Sequence, residues 1–551
     1  MPIFIPIMLF LVLWALRQIK GLLFWLYVWQ LKEYRFERFT DHFRTESGKK
    51  SFVNKLSAAK LLIIFSFLIL PFTMLTGGTL VSWVVLALLY GVETGKGIMD
   101  LKKKRLRKPV FTKKALFLCV LCGIALLVLS IGVYGIALQL TTVTHNVFTP
   151  FIIFPVGLLI LDLLTPFIVS AVVLGLQPFT IFIRNRRLAQ AKAKRATFKN
   201  LKVVGIAGSY GKTSTKEFLS HILSAKFAVA KTPEHQNSEF GVANTILYKL
   251  TDTHEIFVCE MGAYKKGEIK ALAEVARPHI GIVTGVNEQH LATFGSMENL
   301  LSAEGGKELA EALLKDGVLI VNGNNEYCRK LGEKIEKPEK VFYYIFGAAA
   351  PNMLQKGRML QAKDIRIEKD KVSFEAEGVK FEVPAYGAHN VENLLGAIAA
   401  AQELGMTAQE IAQAAETIPL ELSPLKVSTG AGGATIIDST YSANPDGVIA
   451  DLEYLRLYEG KKVLVMPCLI ELGQAAQRAH ERIGKKIGEV CDLAIIITKE
   501  HFADIKKGAD QSEKVVYMEN AQEIIEKVKD AHAILLESRL PESLVRILKN
   551  D

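Results

Sequence analysis

The sequence predicts an α-helical membrane domain followed by an α/β region of two domains with mostly parallel sheets. Three observations carry this. Apolar runs long enough to cross a bilayer lie only in the first part of the chain. Residues 1–202 hold 27 basic and 7 acidic side chains, net +20, whereas residues 203–551 hold 40 and 49, net −9, so the overall +11 of the 551 residues is unevenly spread. From Lys202 onward, short apolar runs alternate with helical stretches, the pattern of a parallel sheet covered by helices. An acidic second part excludes a uniformly basic nucleic-acid binder. The 50% hydrophobic content excludes disorder. Six cysteines, of which only Cys119 and Cys122 are close, give neither a zinc spacing nor a disulfide framework and suit a reducing compartment.

In the first part, Ala115–Leu138 and Phe151–Leu176 exceed the roughly 20 residues that a bilayer core requires. Leu61–Tyr90 is a third uncharged apolar tract, broken at Gly77-Gly78, and reads as two short helices or one re-entrant hairpin. Met1–Gln30 is apolar apart from Arg17 and Lys20, and spans the membrane or lies along its interface. Its basic residues follow the first apolar run, which disfavours a cleaved signal peptide. Lys102–Lys114 and Arg184–Lys202 each carry eight Lys or Arg and no acid, while Thr141–Asn146 has none, so the positive-inside rule puts everything after residue 184 in the cytoplasm. The basic runs set topology and attract anionic membrane lipids. Asp162, between Pro155 and Pro166, is alone in its apolar run and is either a functional carboxylate or a helix-packing group.

The α/β part opens with candidate strands Val203–Ala207, Phe227–Ala230, Ile256–Cys259, Ile280–Thr284 and Val318–Val321. The first runs into Gly208-Ser209-Tyr210-Gly211-Lys212-Thr213-Ser214 and then a helical stretch. Strand, glycine loop and helix in that order form a phosphate cradle: backbone N–H groups and the helix N-terminus hold phosphates, Lys212 reaches the terminal ones and Thr213 can ligate Mg²⁺. The complete GxxxxGK[ST] spacing would need glycine at Ile206. Glu260 and His290 follow the third and fourth strands, where ligands bind in open α/β sheets. There they could ligate a metal beside a triphosphate, although from spacing alone the surface reading is the better one for both. Asp364–Pro384 alternates like a small β-hairpin insert. Thr435–Ile437, Val463–Val465, Leu493–Ile497 and Ala533–Leu536 are strand candidates of the last domain.

The run Gly208–Glu217, Thr232-Pro233 with Asn237, Glu260-Met-Gly-Ala, His290 ahead of Phe294-Gly-Ser, His389-Asn390-Val-Glu-Asn393, Asp438-Ser-Thr-Tyr441-Ser-Ala-Asn444-Pro445, and Glu471-Leu-Gly followed by His480 together resemble the Mur ligase family, from about Leu201 to the C-terminus. The resemblance implies a P-loop central domain with a small β insert (201–425) and a Rossmann-like C-terminal domain (426–551), after a membrane domain (1–183) and a basic linker (184–200). It implies ATP and Mg²⁺, and an amide ligase that activates a carboxylate as an acyl phosphate and joins it to an amine. By motif, Lys212, Glu260 and His290 are catalytic; Gly208, Ser209, Gly211, Lys212, Thr213, Ser214, Asn390, Asn393, Asp438 and Tyr441 hold the nucleotide; and Thr213, Glu260, His290 and Glu304 hold metal.

Departures from the family pattern accompany it. Membrane helices stand where the family has a UDP-sugar domain. The position of the family's carbamylated lysine falls on Glu304 counting forward from Ser296, or on Gly306, beside Lys307, counting back from Asp316-Gly317. Asn-Asn reads Asn237-Ser238, Asp-Asp reads Asp438-Ser439, and Lys-Gly-Ser-Arg reads Leu536-Glu537-Ser538-Arg539. Glu537 either alters the charge preference of the amine site or is an exposed residue without a substrate role. The expected partners are a carboxylate acceptor (a wall precursor, lipid-linked or polymeric), an amino acid or dipeptide, membrane lipids and cell-wall enzymes, with no nucleic acid. A poly-γ-glutamate-type synthetase and a non-catalytic nucleotide-binding scaffold are the alternatives; transport is a weaker third, for want of polar lining other than Asp162.

Overall fold

The structure, a computed structural model, describes residues 4–32, 34, 36, 39–40, 55–69, 77–102, 106–145, 149–347, 357–440 and 444–549. Residues 70–76 of the third apolar tract, 103–105 of the first basic loop, Asn146 and Tyr441 fall outside them. The chain divides into two compact units, Met1–Ile183 and Arg184–Asp551.

The first unit is helical: α1 (Phe4–Leu31), α2 (Lys55–Ile69), α3 (Gly77–Lys102), α4 (Lys113–Thr144) and α5 (Thr149–Gly175), followed by α6 (Gln177–Thr197), within which the unit boundary falls. Among the described residues, three helices are long and apolar enough to cross a membrane: Ile7–Leu31, Lys113–Thr144 and Ile152–Thr197. Gly77 starts a helix and does not break one, and the third tract is two helices, the second extending well into charged sequence.

Asp162 is not alone. Its carboxylate accepts from Lys60 Nζ at 2.5 Å, Gln18 Nε2 at 2.9 Å and the Tyr90 hydroxyl at 3.0 Å. Lys60 also reaches Glu93 at 2.7 and 2.8 Å, and Arg17 Nε donates to Glu93 at 3.0 Å. The Thr165 hydroxyl closes the group on Gln18 at 2.8 Å. Sequence distance hid this cluster: its acids and bases come from α1, α2, α3 and α5. The premise that Asp162 is the sole polar group of these helices is therefore corrected. Its charges are spent on one another, as buried ions require.

The second unit carries two sheets. The larger orders β2 (Val229–Lys231), β3 (Ile256–Glu260), β1 (Lys202–Ala207), β4 (Ile280–Val283), β5 (Val318–Asn322), β6 (Lys340–Phe346), β7 (Arg358–Ile367), β8 (Val372–Ala376) and β9 (Val379–Val383). Pairing is parallel as far as β7 and antiparallel beyond it. The expected hairpin insert is thus three strands that continue the main sheet, because β7 begins at Arg358 and pairs with β6. The central strands are apolar throughout since both faces are covered. The smaller sheet orders β10 (Lys426–Thr429), β11 (Thr435–Ser439), β15 (Ala533–Glu537), β12 (Lys462–Met466), β13 (Leu493–Ile496) and β14 (Val515–Tyr517), parallel apart from β10.

The basic stretch after residue 184 does more than carry charge. Arg195 is buried and donates to the backbone carbonyls of Ala276, Phe198 and Leu201 at 2.9 to 3.0 Å. Lys194 donates to the carbonyls of Leu247 and Leu250, and Arg187 to Asn244. These side chains dock the second half of α6 onto the larger sheet's helices.

Candidate active site

β1 ends at Ala207, and α7 (Lys212–Ser224) begins four residues into the loop. Gly208 (φ 143°) and Gly211 (φ 76°) take conformations that side-chain-bearing residues avoid. A Cβ at Gly208 would meet the Thr284 side chain and the Gly285 backbone; at Gly211 it would meet the Asn393 carboxamide. Ile206, where the longer motif would have glycine, is a buried strand residue with ordinary geometry. The turn itself starts only at Gly208.

Lys212 folds over this loop, its Nζ donating to Gly208 O at 2.5 Å and Ser209 O at 3.2 Å. The Thr213 hydroxyl donates to both Glu260 oxygens at 3.1 and 3.2 Å. Asn237 Nδ2 reaches Glu260 at 2.9 Å and Lys216 Nζ lies 3.2 Å away. Glu260, at the end of β3, is 4% exposed. Ser214 is buried in the first turn of α7.

A second carboxylate faces the loop. Glu304 accepts from the Ser209 hydroxyl at 2.9 Å and lies 2.9 Å from His290 Nδ1. Burial alone would raise its carboxyl, but His290, Lys212 and the Ser209 hydroxyl hold it below the usual range, so it is ionised at neutral pH. A Gly305-Gly306 turn projects Glu304 inward, whereas Lys307 is exposed and pairs with Glu311. Of the two alignments, the geometry brings Glu304 and not Lys307 to the loop.

Asn393 stands against Gly211 and donates to Asn390 Oδ1 at 3.1 Å; Asn390 donates to Tyr386 O at 2.7 Å. Both lie on α8 (His389–Glu403). The smaller sheet approaches through Asn287, whose Nδ2 donates to Asn444 at 2.9 Å and Asp446 at 3.0 Å, and through Ala292 N to Glu471 O at 3.1 Å. Asp438, near the end of β11, pairs with Lys549.

The four candidate metal residues therefore form two pairs, Thr213 with Glu260 and His290 with Glu304. Among the described residues, no group of three or more His, Cys, Asp or Glu is arranged to hold a metal. Thr213, Glu260 and Glu304 are hard oxygen donors, which fit Mg²⁺ that keeps waters and phosphate oxygens in its shell. Sequence reasoning left Lys216 and Asn287 out of the site. Lys216, four residues after Lys212 and so one helical turn on, carried a signal in its spacing; Asn287 needed the fold.

Residues 206–401 match the Mur ligase middle domain and residues 425–536 the Mur ligase glutamate ligase domain. A UDP-N-acetylmuramoyl-tripeptide–D-alanyl-D-alanine ligase of Bacillus subtilis (strain 168) is 30% identical over 290 residues, covering 52% of this chain and 60% of that protein. The enzyme of the same name from Mycobacterium leprae (strain TN) is 31% identical over 54% of this chain and 61% of its own length. The chain thus spans about three-fifths of the curated relatives it matches. A crystal structure of MurF from Acinetobacter baumannii superposes with TM-score 0.59 at 25% identity, over 67% of this chain and 81% of that one. MurF from Thermotoga maritima in complex with ADP shares the fold, with TM-score 0.55 at 24% identity, over 66% of this chain and 82% of that one. Together the two domain matches span more than half of the sequence, and in these domains the chain belongs to the Mur ligase family.

Proposed function

We propose that this chain is a membrane-anchored, ATP-dependent amide ligase that activates a carboxylate as an acyl phosphate and joins it to the amine of an amino acid or dipeptide, in peptidoglycan or envelope-polymer synthesis. The observation that carries this is the pair of buried carboxylates, Glu260 and Glu304, held by Thr213 and Ser209 on either side of one glycine loop. Their partners on that loop are hydroxyls, and each carboxylate has one basic neighbour besides, Lys216 at 3.2 Å from Glu260 and His290 at 2.9 Å from Glu304.

In this reading the loop N–H groups and the start of α7 cradle the phosphates of ATP, and Lys212 leaves the loop carbonyls for the terminal phosphate. Thr213, Glu260, His290 and Glu304 would hold Mg²⁺, which neutralises phosphoryl charge. Glu304 supplies a ready-made carboxylate where many relatives carbamylate a lysine. Asn390 and Asn393 line the adenine side, and Asp438 and Tyr441 approach from the C-terminal domain. Positioning and charge neutralisation do the catalytic work, because the substrate carboxylate itself performs the attack on phosphorus.

The proposed division is a multi-pass membrane domain (1–183), a basic segment (184–200) whose helix docks on the ligase, a P-loop domain (201–425) and a Rossmann-like domain (426–551) on the cytoplasmic face. With membrane helices ahead of the ligase, the acceptor we favour is lipid-linked or polymeric. The test is an acceptor screen with the full chain in detergent, measuring ADP release and ligated product by mass spectrometry. Acceptor-dependent ADP from the wild type and none from Lys212→Ala supports the ligase. Equal silence of both supports a nucleotide-binding scaffold, and product formed only from glutamate polymer identifies a poly-γ-glutamate-type synthetase.

A further inference from the structure

A second buried acidic group lies at the carboxyl ends of β11 and β15, where Ser439 pairs across the strands with Glu537. Glu537 is 0% exposed, which removes the reading of it as a surface residue. Neither of its oxygens meets a hydrogen-bond donor among the described residues. Asp451, on α9 (Pro445–Leu455), faces it, is 5% exposed and accepts from the Ser439 hydroxyl at 2.6 Å. The third member belongs to the larger sheet's side: His389, the first residue of α8, faces Asp451, and its buried Nδ1 has no partner. Its ring lies over Gly387 beside Tyr454 of α9.

The surroundings offer little else. Ser439 and the Ser538 backbone N–H are the remaining polar neighbours of Glu537. Asp438 alternates to the other face of β11 and pairs there with Lys549. Among the described residues, no Lys or Arg side chain neighbours Asp451, Glu537 or His389 closely enough to affect their charge. Two ionised carboxylates cannot face each other in such a site without a compensating cation. A proton between them supplies the hydrogen bond that Glu537 otherwise lacks: Glu537 O–H donates to Asp451, which also accepts from Ser439, and the pair carries one negative charge. Burial first, and then the Asp451 charge, push the Glu537 carboxyl well above its ordinary value. Ser439 and Glu537 are also two of the positions at which the chain departs from its family's pattern.

We propose that Asp451 and Glu537 share one proton and, with His389, form a pH-sensitive latch holding the smaller sheet against the first turn of α8. When the pH passes the point at which Glu537 releases its proton to solvent, a second negative charge appears inside the seam. It is relieved if Glu537 reaches water, and the opening we assign is the seam itself, where Tyr454 of α9 meets Tyr386 and Gly387 just ahead of α8. Among the described residues, other contacts across this seam include Asn287 with Asn444 and Asp446, Ala292 with Glu471, the Tyr454 hydroxyl with Lys369 O, the Tyr386 ring against Tyr454, and Lys369 over the Tyr458 ring. The latch does not depend on the chain being a ligase.

The test uses the full chain in detergent, in a Cys119→Ser background, with spin labels at exposed Lys270 and Lys507, and reads their separation from neutral to alkaline pH. Infrared spectra follow the protonated-carboxyl band over the same range. The expected result is one separation at neutral pH and a second, longer one that appears as the band is lost. Glu537→Gln, whose amide donates to Asp451 at every pH, keeps the single separation throughout. A wild-type separation that does not change as the band titrates, or a Glu537→Gln chain that shifts as the wild type does, overturns the latch. Absence of any such band in the wild type overturns the shared proton, and this readout stands even if Glu537→Gln does not fold.

Discussion

In the helical unit, Lys60, Glu93, Asp162 and Arg17 are buried or half-buried and satisfy one another, so every charge has an opposite charge within reach. In the second unit, Glu260 and Glu304 are as deeply buried, but each combines a hydroxyl donor, Thr213 or Ser209, with a single basic neighbour, Lys216 or His290. The difference separates two uses of buried charge. A closed cluster fixes which helices meet and has nothing left for a ligand. Carboxylates that share hydroxyl donors with one basic neighbour each, beside a phosphate cradle, are placed where a cation can exchange with those hydroxyls.

Opening the closed cluster has the largest expected effect. Lys60→Met leaves Glu93 and Asp162 facing each other, and should cost the helical unit about 3–5 kcal/mol, read as a fall in thermal stability in detergent. Adding Glu93→Gln and Asp162→Asn should recover much of it; no recovery would show that Lys60 acts through packing alone.

The open arrangement predicts loss of turnover without loss of fold. Glu304→Gln should lower acceptor-dependent ADP formation by about 10²-fold or more, with the melting temperature nearly unchanged. Wild-type turnover should be indifferent to removal of bicarbonate. A bicarbonate requirement would transfer the role to a modified lysine.

A buried neutral group in the smaller sheet gives the pH test. His480 is 0% exposed, accepts from Leu469 N–H at Nε2 and donates from Nδ1 to Ala476 O. Burial lowers its pKa to about 4. Its contribution is complete above the ordinary histidine value of about 6.5 and is lost as pH falls towards about 4, on the order of 3 kcal/mol in total. Acid unfolding of His480→Gln should lack this window.

Smaller effects come from the docked basic helix. Arg195→Ala removes donors from three buried carbonyls and should cost about 2 kcal/mol. Lys192→Ala breaks an exposed pair with Glu274 and should stay within about 0.5 kcal/mol. Equal losses would mean that the whole run acts through charge alone.

Much of this was legible along the chain. Every strand candidate from Val203 to Ala533 lies at an observed strand, with ends displaced by at most two residues. Lys340–Phe346, an aromatic and β-branched run, was passed over although its composition favours a strand. Gly208 to Ser214 sat in the right local context because strand, turn and helix are neighbours in sequence. The cluster around Asp162 was not legible, since its bonded partners are separated by up to 147 residues. Nor was the burial of Glu537, which depends on α9 packing on β15.

The sequence by itself determined the helical first part, the parallel α/β second part and the phosphate loop, because periodicity, glycine placement and charge asymmetry are local properties. Only the tertiary structure decided which charges meet. Ion pairing and burial depend on distance in space, and residues from distant helices and strands come within about 3 Å only once the apolar faces have packed.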